Sequence, residues 1–343
     1  MGQGTTYRLW LLALLVALLL AAFLNMASGS VQIPISATLT SLFGGETDTP
    51  SWTYIVRHYR LPKALTAILV GGGLAVSGLL MQTLFRNPLA GPFVLGISSG
   101  ASLGAALLLM GTSLLSGFAT FGWGNDVSLA VAASLGSFLV LAIVMMVANR
   151  VRDTMALLII GLMFGSITAA VVSVLAYFSQ ADQLQRFIFW SYGAVGSLSW
   201  NQVGVLATVV CLGLLAALFT LKNLNAFLLG EHYAKTLGVG LKTSRFMIIL
   251  STGLLAGGIT AFAGPIAFVG LAVPHLTKQL FKTTEHRLLL PAVFLYGAIL
   301  MLLCDTVAQW PSSAKVLPIN AITSIIGAPV VIWLLVRKKK MIF

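Results

Sequence analysis

Apolar runs of membrane-spanning length, separated by short polar connections, repeat along almost the whole chain. A bilayer-crossing helix takes about 20 apolar residues. The pattern predicts ten: Leu9 to Ala27, Leu61 to Phe85, Ile97 to Phe118, Val127 to Ala148, Thr154 to Phe178, Asn201 to Leu221, Phe246 to Ala263, a short one at Ile266 to Phe281, Leu288 to Gln309 and Leu317 to Val336. The first run follows the single basic residue Arg8 in the manner of a signal peptide, but its length predicts a retained span. Two stretches break the rhythm. Val31 to Ser51 is polar and contains proline; Gln180 to Trp200 mixes aromatic and polar residues, which predicts an interfacial helix and a turn on the outer surface.

Composition agrees with the pattern and narrows the classes. Hydrophobic residues make up 58% of the 343 positions and charged residues 8%, against about 25% charged in soluble domains. The chain is therefore a polytopic membrane protein with no room for a large soluble domain, and it draws energy from an ion gradient or a separate subunit. A net charge of +12 would suggest nucleic acid in a soluble protein; here its placement speaks to topology instead, and no nucleic-acid partner is expected. With the amino terminus inside, only Arg57, Arg60, Lys63, Arg186 and Lys315 face outward, and the other 15 of the 20 basic residues lie inside. That bias follows the positive-inside rule, with both termini cytoplasmic. The basic tail Arg337 to Lys340 is a solvated, lipid-facing cap. Cys211 and Cys304 sit in apolar runs without CxxC or Cys/His spacing, so no disulfide framework or metal site is indicated.

Within the spans, small residues and prolines stand out. Gly71, Gly72, Gly73, Ser77 and Gly78 line the second run, and Gly253 and Gly257 form a GxxxG pair in the seventh, which predicts close helix approach. Pro265, Pro274 and Pro329 interrupt apolar segments, predicting discontinuous helices whose freed backbone groups are satisfied within the protein. Asp305 is the clearest intramembrane carboxylate; a hydrogen-bonded structural role, ion coupling and chelate contact are the open readings. His275 lacks a second ligand at useful spacing, and His286 falls in an EHR loop expected on the inside. Arg57, Arg60 and Lys63 recur every three residues, so one helix would present them as a cationic ridge. In Gly230 to Lys242, Glu231, Ala234 and Leu237 fall near one face of a short helix that Gly238 ends in a left-handed cap. That shape is either a knob for a soluble partner's groove or an ordinary charged loop. The same stretch lacks phosphate-loop spacing, and no GxSxG or HExxH motif or paired membrane carboxylates occur, so the chain is not expected to be an enzyme.

Together, RLPKALTAILVGGGLAVSGLLMQTLFRNPLAGPFVLGISSGASLG from Arg60, FWSYGAVGSLSW from Phe189, GPIAFVGLAVPHLTKQLF from Gly264, EHRLLLPAVFLYGAILMLLCDTVAQ from Glu285 and LPINAITSIIGAPVVIWLLVRKK from Leu317 resemble the permease subunits of ABC importers for iron chelates, haem and cobalamin. The resemblance implies an all-α, cobalamin-importer-permease-like fold of about ten transmembrane helices, of the type II importer class. It implies one transmembrane permease domain over residues 1–343, with a cytoplasmic coupling loop at about 222–245. The implied cargo is an iron chelate, siderophore or haem, with cobalamin as the alternative; an ion-coupled secondary transporter is the reading from a different class. Implied partners are cytoplasmic ATPase subunits that use ATP, a second permease copy, a periplasmic or lipid-anchored substrate-binding protein and the lipid of a bacterial cytoplasmic membrane. This chain itself would bind no cofactor and no metal. Gly230, Glu231, Ala234, Leu237 and Gly238 would couple to the ATPase, and Arg57, Arg60 and Lys63 would dock the binding protein. Interfacial snorkelling is the alternative for those three cations. Where family members often carry another arginine this chain has Gln309, with Lys315 as its nearby substitute. Met81, Gln82 and Ser98 would line the translocation pathway.

Overall fold

The glycine-rich second run forms the axis of the molecule. In the computed structural model, which describes residues 3–45, 47, 49–111, 126–148, 150, 154–309 and 316–336, every regular element is helical. The run becomes α4 (Leu61–Leu84), preceded without a break by α3 (Pro50–Ile55) and a π-helical turn at Val56–Arg60. Before it come α1 (Gln3–Ala27) and the short α2 (Ile35–Leu42); after it come α5 (Ile97–Met110), α6 (Asp126–Ala148) and α7 (Thr154–Phe178). A helix follows Gln180 as expected, α8 (Ala181–Ser191), started by a capping box between Gln180 and Gln183. The second half holds α9 (Trp200–Phe219), α10 (Leu221–Leu228), α11 (Glu231–Thr236), α12 (Leu241–Thr252), α13 (Gly258–Ala263), α14 (Val269–Phe281), α15 (His286–Ala308) and α16 (Ile319–Val336).

Seven helical paths among the described residues are long and apolar enough to cross a membrane: Thr6–Ala27, Pro50–Leu84, Val127–Val147, Ala156–Phe178, Trp200–Phe219, Leu241–Ala263 and His286–Ala308. The other three expected runs give the shorter helices α5, α14 and α16. The end of the α5 run at Phe118 lies outside the described residues. α14 is short because left-handed residues bracket it, Phe268 at φ 67° and Lys282 at φ 49°. The expected break at Pro265 falls between α13 and α14, where Gly264 turns the chain at φ 72° and a Cβ would meet the Trp190 carbonyl at 2.5 Å. Pro274, Pro291 and Pro329 remain inside their helices. The Gly253–Gly257 pair forms a π-helical segment joining α12 to α13, and it packs on α6 through Leu141 and Ser137.

Small residues let backbones touch. α4 meets α15 where Gly71 and Gly297 each lie against the other's carbonyl, and it meets α14 where Gly78 lies against the Gly270 carbonyl. Pro274 has no N–H to give that carbonyl, so the close approach occurs where the α14 backbone lacks its own bond. α5 and α6 repeat the device at Gly100 with Gly136 and at Gly104 with Ala132. Residues of α4, α9, α12, α14 and α15 make one continuous core. α1 and α7 instead turn large apolar side chains such as Leu19, Leu20, Ile167 and Val174 outward, the distribution suited to lipid.

Candidate functional site

Two ends of the bundle carry the candidate residues. At one end, Gly230 at φ 103° turns the chain into α11 and Gly238 at φ 82° turns it out. The Gly238 N–H donates to the Lys235 carbonyl at 3.0 Å and the Val239 N–H to the Ala234 carbonyl at 3.1 Å, closing the helix as expected. No heavy atom lies within 4 Å of a Cβ built at Gly238, so glycine is needed there for conformation and not for space. Leu237 caps α11, its N–H still donating to the Tyr233 carbonyl at 3.1 Å, but the three residues expected on one face differ in burial. Ala234 turns inward and is fully buried, while Leu237 and Tyr233 are more than half exposed. Glu231 reaches across to α12, its Oε2 lying 2.5 Å from Arg245 Nη2. Tyr233 was not singled out in the sequence; an aromatic residue in an otherwise polar short helix was its only signal.

At the other end, the expected cationic ridge is dispersed. The π-turn at Val56–Arg60 changes the helical register between the three basic residues, and each finds acceptors within the chain. Arg57 donates through Nε to the Ser41 carbonyl at 2.8 Å, holding the end of α2. Arg60, 5% exposed, donates to the carbonyls of Met26 (2.6 Å), Ala27 (3.1 Å) and Val31, which caps the C-terminus of α1. Lys63 Nζ lies 3.0 Å from Asp305 Oδ2. The same oxygen accepts from Asn25 Nδ2 and from Gln309 Nε2, both at 2.7 Å. Asp305 thus takes the hydrogen-bonded arrangement among its three readings, and Gln309 serves it from one turn along α15. Asn25, a lone amide in the apolar α1 run, was missed in the sequence because nothing local reveals a partner 280 positions away. A cavity of about 760 Å³ opens beside this cluster, lined by Tyr59, Lys63, Tyr192, Asp305 and Gln309 among others. Lys315 lies outside the described residues.

Arg60→Ala is expected to lower the melting temperature of the detergent-solubilised protein by stranding the α1 carbonyls, at roughly 1.5–3 kcal/mol for hydrogen bonds to a charged group. Arg60→Lys should recover only part of it, because an ammonium cannot fork across two turns of backbone. Equal melting of Arg60→Ala and the parent chain would refute the capping role.

The three pathway candidates differ in exposure. Met81 is fully buried and Gln82 is 3% exposed, with Gln82 Nε2 donating to the Leu271 carbonyl at 3.1 Å. Ser98, near the start of α5, is partly exposed. His275 is 2.8 Å through Nε2 from the Pro88 carbonyl, tying α14 to the RNPLA turn. His286 is not a loop residue: it is the first residue of α15, and it is 1% exposed. Among the described residues no group of three or more His, Cys, Asp or Glu side chains could hold a metal ion.

A bundle of apolar helices joined by backbone-close glycine contacts, with a capped knob at one end and a braced polar cluster at the other, is the body of a multi-pass transport permease. The model of the FecCD transport family matches residues 15–337, and the chain belongs to that family, whose members here are ABC importer permeases. The vitamin B12 import system permease protein BtuC of Shigella boydii serotype 18 is 36% identical over 332 residues, covering 96% of each chain. That of Klebsiella pneumoniae is 36% identical over 341 residues, covering 98% of this chain and 96% of the relative. A solved structure of an inward-facing metal-chelate type ABC transporter aligns with a TM-score of 0.81 at 31% identity, covering 96% of this chain and 99% of that one. PsaBC from Streptococcus pneumoniae in complex with a Fab aligns with a TM-score of 0.53 at 14% identity, a likeness of fold alone.

Proposed function

We propose that this chain is the single-domain permease of an importer that carries a bulky iron chelate, siderophore or haem, across the bacterial cytoplasmic membrane. Near full-length similarity to a metal-chelate type ABC transporter carries this reading. The relatives named for vitamin B12 favour a second cargo of the same kind, a cobalt corrinoid. In this reading all ten apolar runs cross the membrane, α5, α14 and α16 being its short crossings, and both termini are cytoplasmic because the basic residues then follow the positive-inside rule. Two copies work with two ATPase subunits that consume ATP, and this chain holds no cofactor of its own. α11 is the coupling knob: Tyr233 and Leu237 are exposed for a partner's groove, Gly230 and Gly238 set its ends, and the Glu231–Arg245 pair fixes its tilt. A soluble binding protein docks at the opposite end, around Arg57, Lys315 and the Lys63–Asp305 pair. Arg60 contributes there by holding the end of α1, since its guanidinium is engaged by backbone carbonyls.

Copurification tests the assembly. The tagged chain, expressed with its ATPase, is expected to yield two permeases and two ATPase subunits in native mass analysis, and a Glu231→Ala/Gly238→Val double variant is expected to lose the ATPase. In loaded vesicles, uptake of a ferric hydroxamate chelate and of cyanocobalamin is then measured with ATP and with ionophores. Ionophore-resistant, ATP-dependent uptake of the iron chelate supports the first cargo; uptake of cyanocobalamin alone moves the assignment to corrinoid. Uptake that collapses with the ion gradient would defeat the importer reading.

A further inference from the structure

Three side chains join α10 to the two central spans: Asn225, partly buried, and His286 and Thr83, both buried. The Asn225 Oδ1 accepts the backbone N–H of His286 at 3.1 Å and lies 2.7 Å from His286 Nδ1. An oxygen that already accepts a backbone N–H must accept again from Nδ1, so the imidazole carries its proton there. Nε2 is then left facing the Thr83 hydroxyl of α4 at 2.9 Å. His286 and Thr83 are both 1% exposed. On its other side α10 is tied to α12, through Asn223 Nδ2 donating to Ser244 Oγ at 2.9 Å. α11 packs mainly on α10 and α12. It therefore has two supports: α12, reached by Glu231–Arg245, and α10, locked to α4 and α15 by the histidine.

We infer that Asn225, His286 and Thr83 form the strut through which displacement of α11 is passed to α4 and α15; this rests on the coupling reading of α11. Apolar contacts between helices can slide, whereas a buried hydrogen-bonded junction holds one relative position, because every alternative strands a donor or acceptor. α4 is the axis of the core and meets both α14 and α15 at glycines. A push delivered at its end through Thr83, and at the first residue of α15 through His286, reaches both elements of that contact together. Asn225, His286 and Thr83 are positioning residues and touch no cargo.

The permease–ATPase complex in lipid vesicles gives the test, with cyanocobalamin and a ferric hydroxamate chelate as transport probes. Asn225→Leu keeps the volume and strands two donors; Asn225→Asp keeps the acceptor. Asn225→Leu is expected to lower probe uptake about tenfold, with ATP hydrolysis within about twofold of the parent, while Asn225→Asp restores uptake to within about threefold. Normal uptake by Asn225→Leu, or parallel loss of assembly and both activities without rescue by Asn225→Asp, overturns the strut. An independent readout needs no disruptive variant: spin labels at Lys235→Cys and Arg287→Cys, in a Cys211→Ser background, report the α11–α15 distance. A strut requires the same distance with ATP bound and without nucleotide, and a change between the two states overturns it. A parent complex that binds no ATPase and moves neither probe would instead remove the coupling reading itself.

Discussion

Asp305→Ala is expected to destabilise the permease by roughly 3–5 kcal/mol, the cost of leaving a buried charge without its partner. The carboxylate is 6% exposed in its side chain and Lys63 is 14% exposed, so neither recovers much water when the other is removed. Three donors from three directions converge on Oδ2: Lys63 of α4, Asn25 of α1 and Gln309, which caps the end of α15. The single substitution therefore strands a cation at the junction of three helices, and takes one acceptor from each of two amides. A second substitution separates the two effects. Lys63→Met placed in the Asp305→Ala chain should return most of the lost stability, because an apolar pair has no charge to solvate, Asn25 still reaches Thr306 and the Leu302 carbonyl, and Gln309 still reaches the backbone carbonyl of residue 305. Thermal unfolding of the two single variants and the double variant in one detergent measures the coupling. Additive losses, with the double variant the least stable, would show that the pair contributes little.

Gly78→Leu is expected to abolish accumulation of folded protein, and Gly204→Leu to leave it unchanged. Any side chain at Gly78 enters the space of the Gly270 carbonyl, and backbone, unlike a flexible side chain, cannot rotate away. Overpacking costs about 1–3 kcal/mol where side chains can adjust, and more where they cannot. Even Gly78→Ala forces α14 off α4 at the point where Pro274 already leaves a carbonyl without its helical donor. Gly204, in α9, has nothing within 4 Å of a built Cβ and serves as the matched control. Size-exclusion profiles of fluorescently tagged variants give the measurement. A monodisperse Gly78→Leu at parental yield would mean that α4 and α14 separate without penalty.

Helix placement was legible in the sequence wherever hydrophobic length alone decides it. α7 begins and ends where its apolar run does, and α8 follows from its polar and aromatic mixture. At α14 the short run and its end at Phe281 were legible, but the start at Val269 was not, since no apolar run announces the left-handed conformation of Phe268. At the candidate sites, local backbone requirements were legible and side-chain partners were not. Gly238 was readable because a left-handed exit is a local backbone requirement, and it is met at φ 82°. Leu237 read as sharing a face with Glu231 and Ala234, and only the fold distinguishes the buried Ala234 from the exposed Leu237.

By itself the pattern of apolar runs determined a polytopic, all-helical membrane protein, because the bilayer requires every crossing helix to bond its own backbone and to be apolar over a fixed length, and the resemblance of its motifs added the permease class. It also determined where glycine is required, though not by which neighbour. Only the tertiary structure decided what the charges do. Arg57, Arg60 and Lys63 read as one outward ridge along a regular helix, but a single π-turn sends them to α2, to the end of α1 and to Asp305. The physical reason is that buried cations seek whatever acceptors the fold brings near them, and Asn25, Lys63 and Asp305 meet across separations of up to 280 residues. His286 joined Asn225 and Thr83 in the same way, by contacts of 61 and 203 residues' separation that no local pattern encodes.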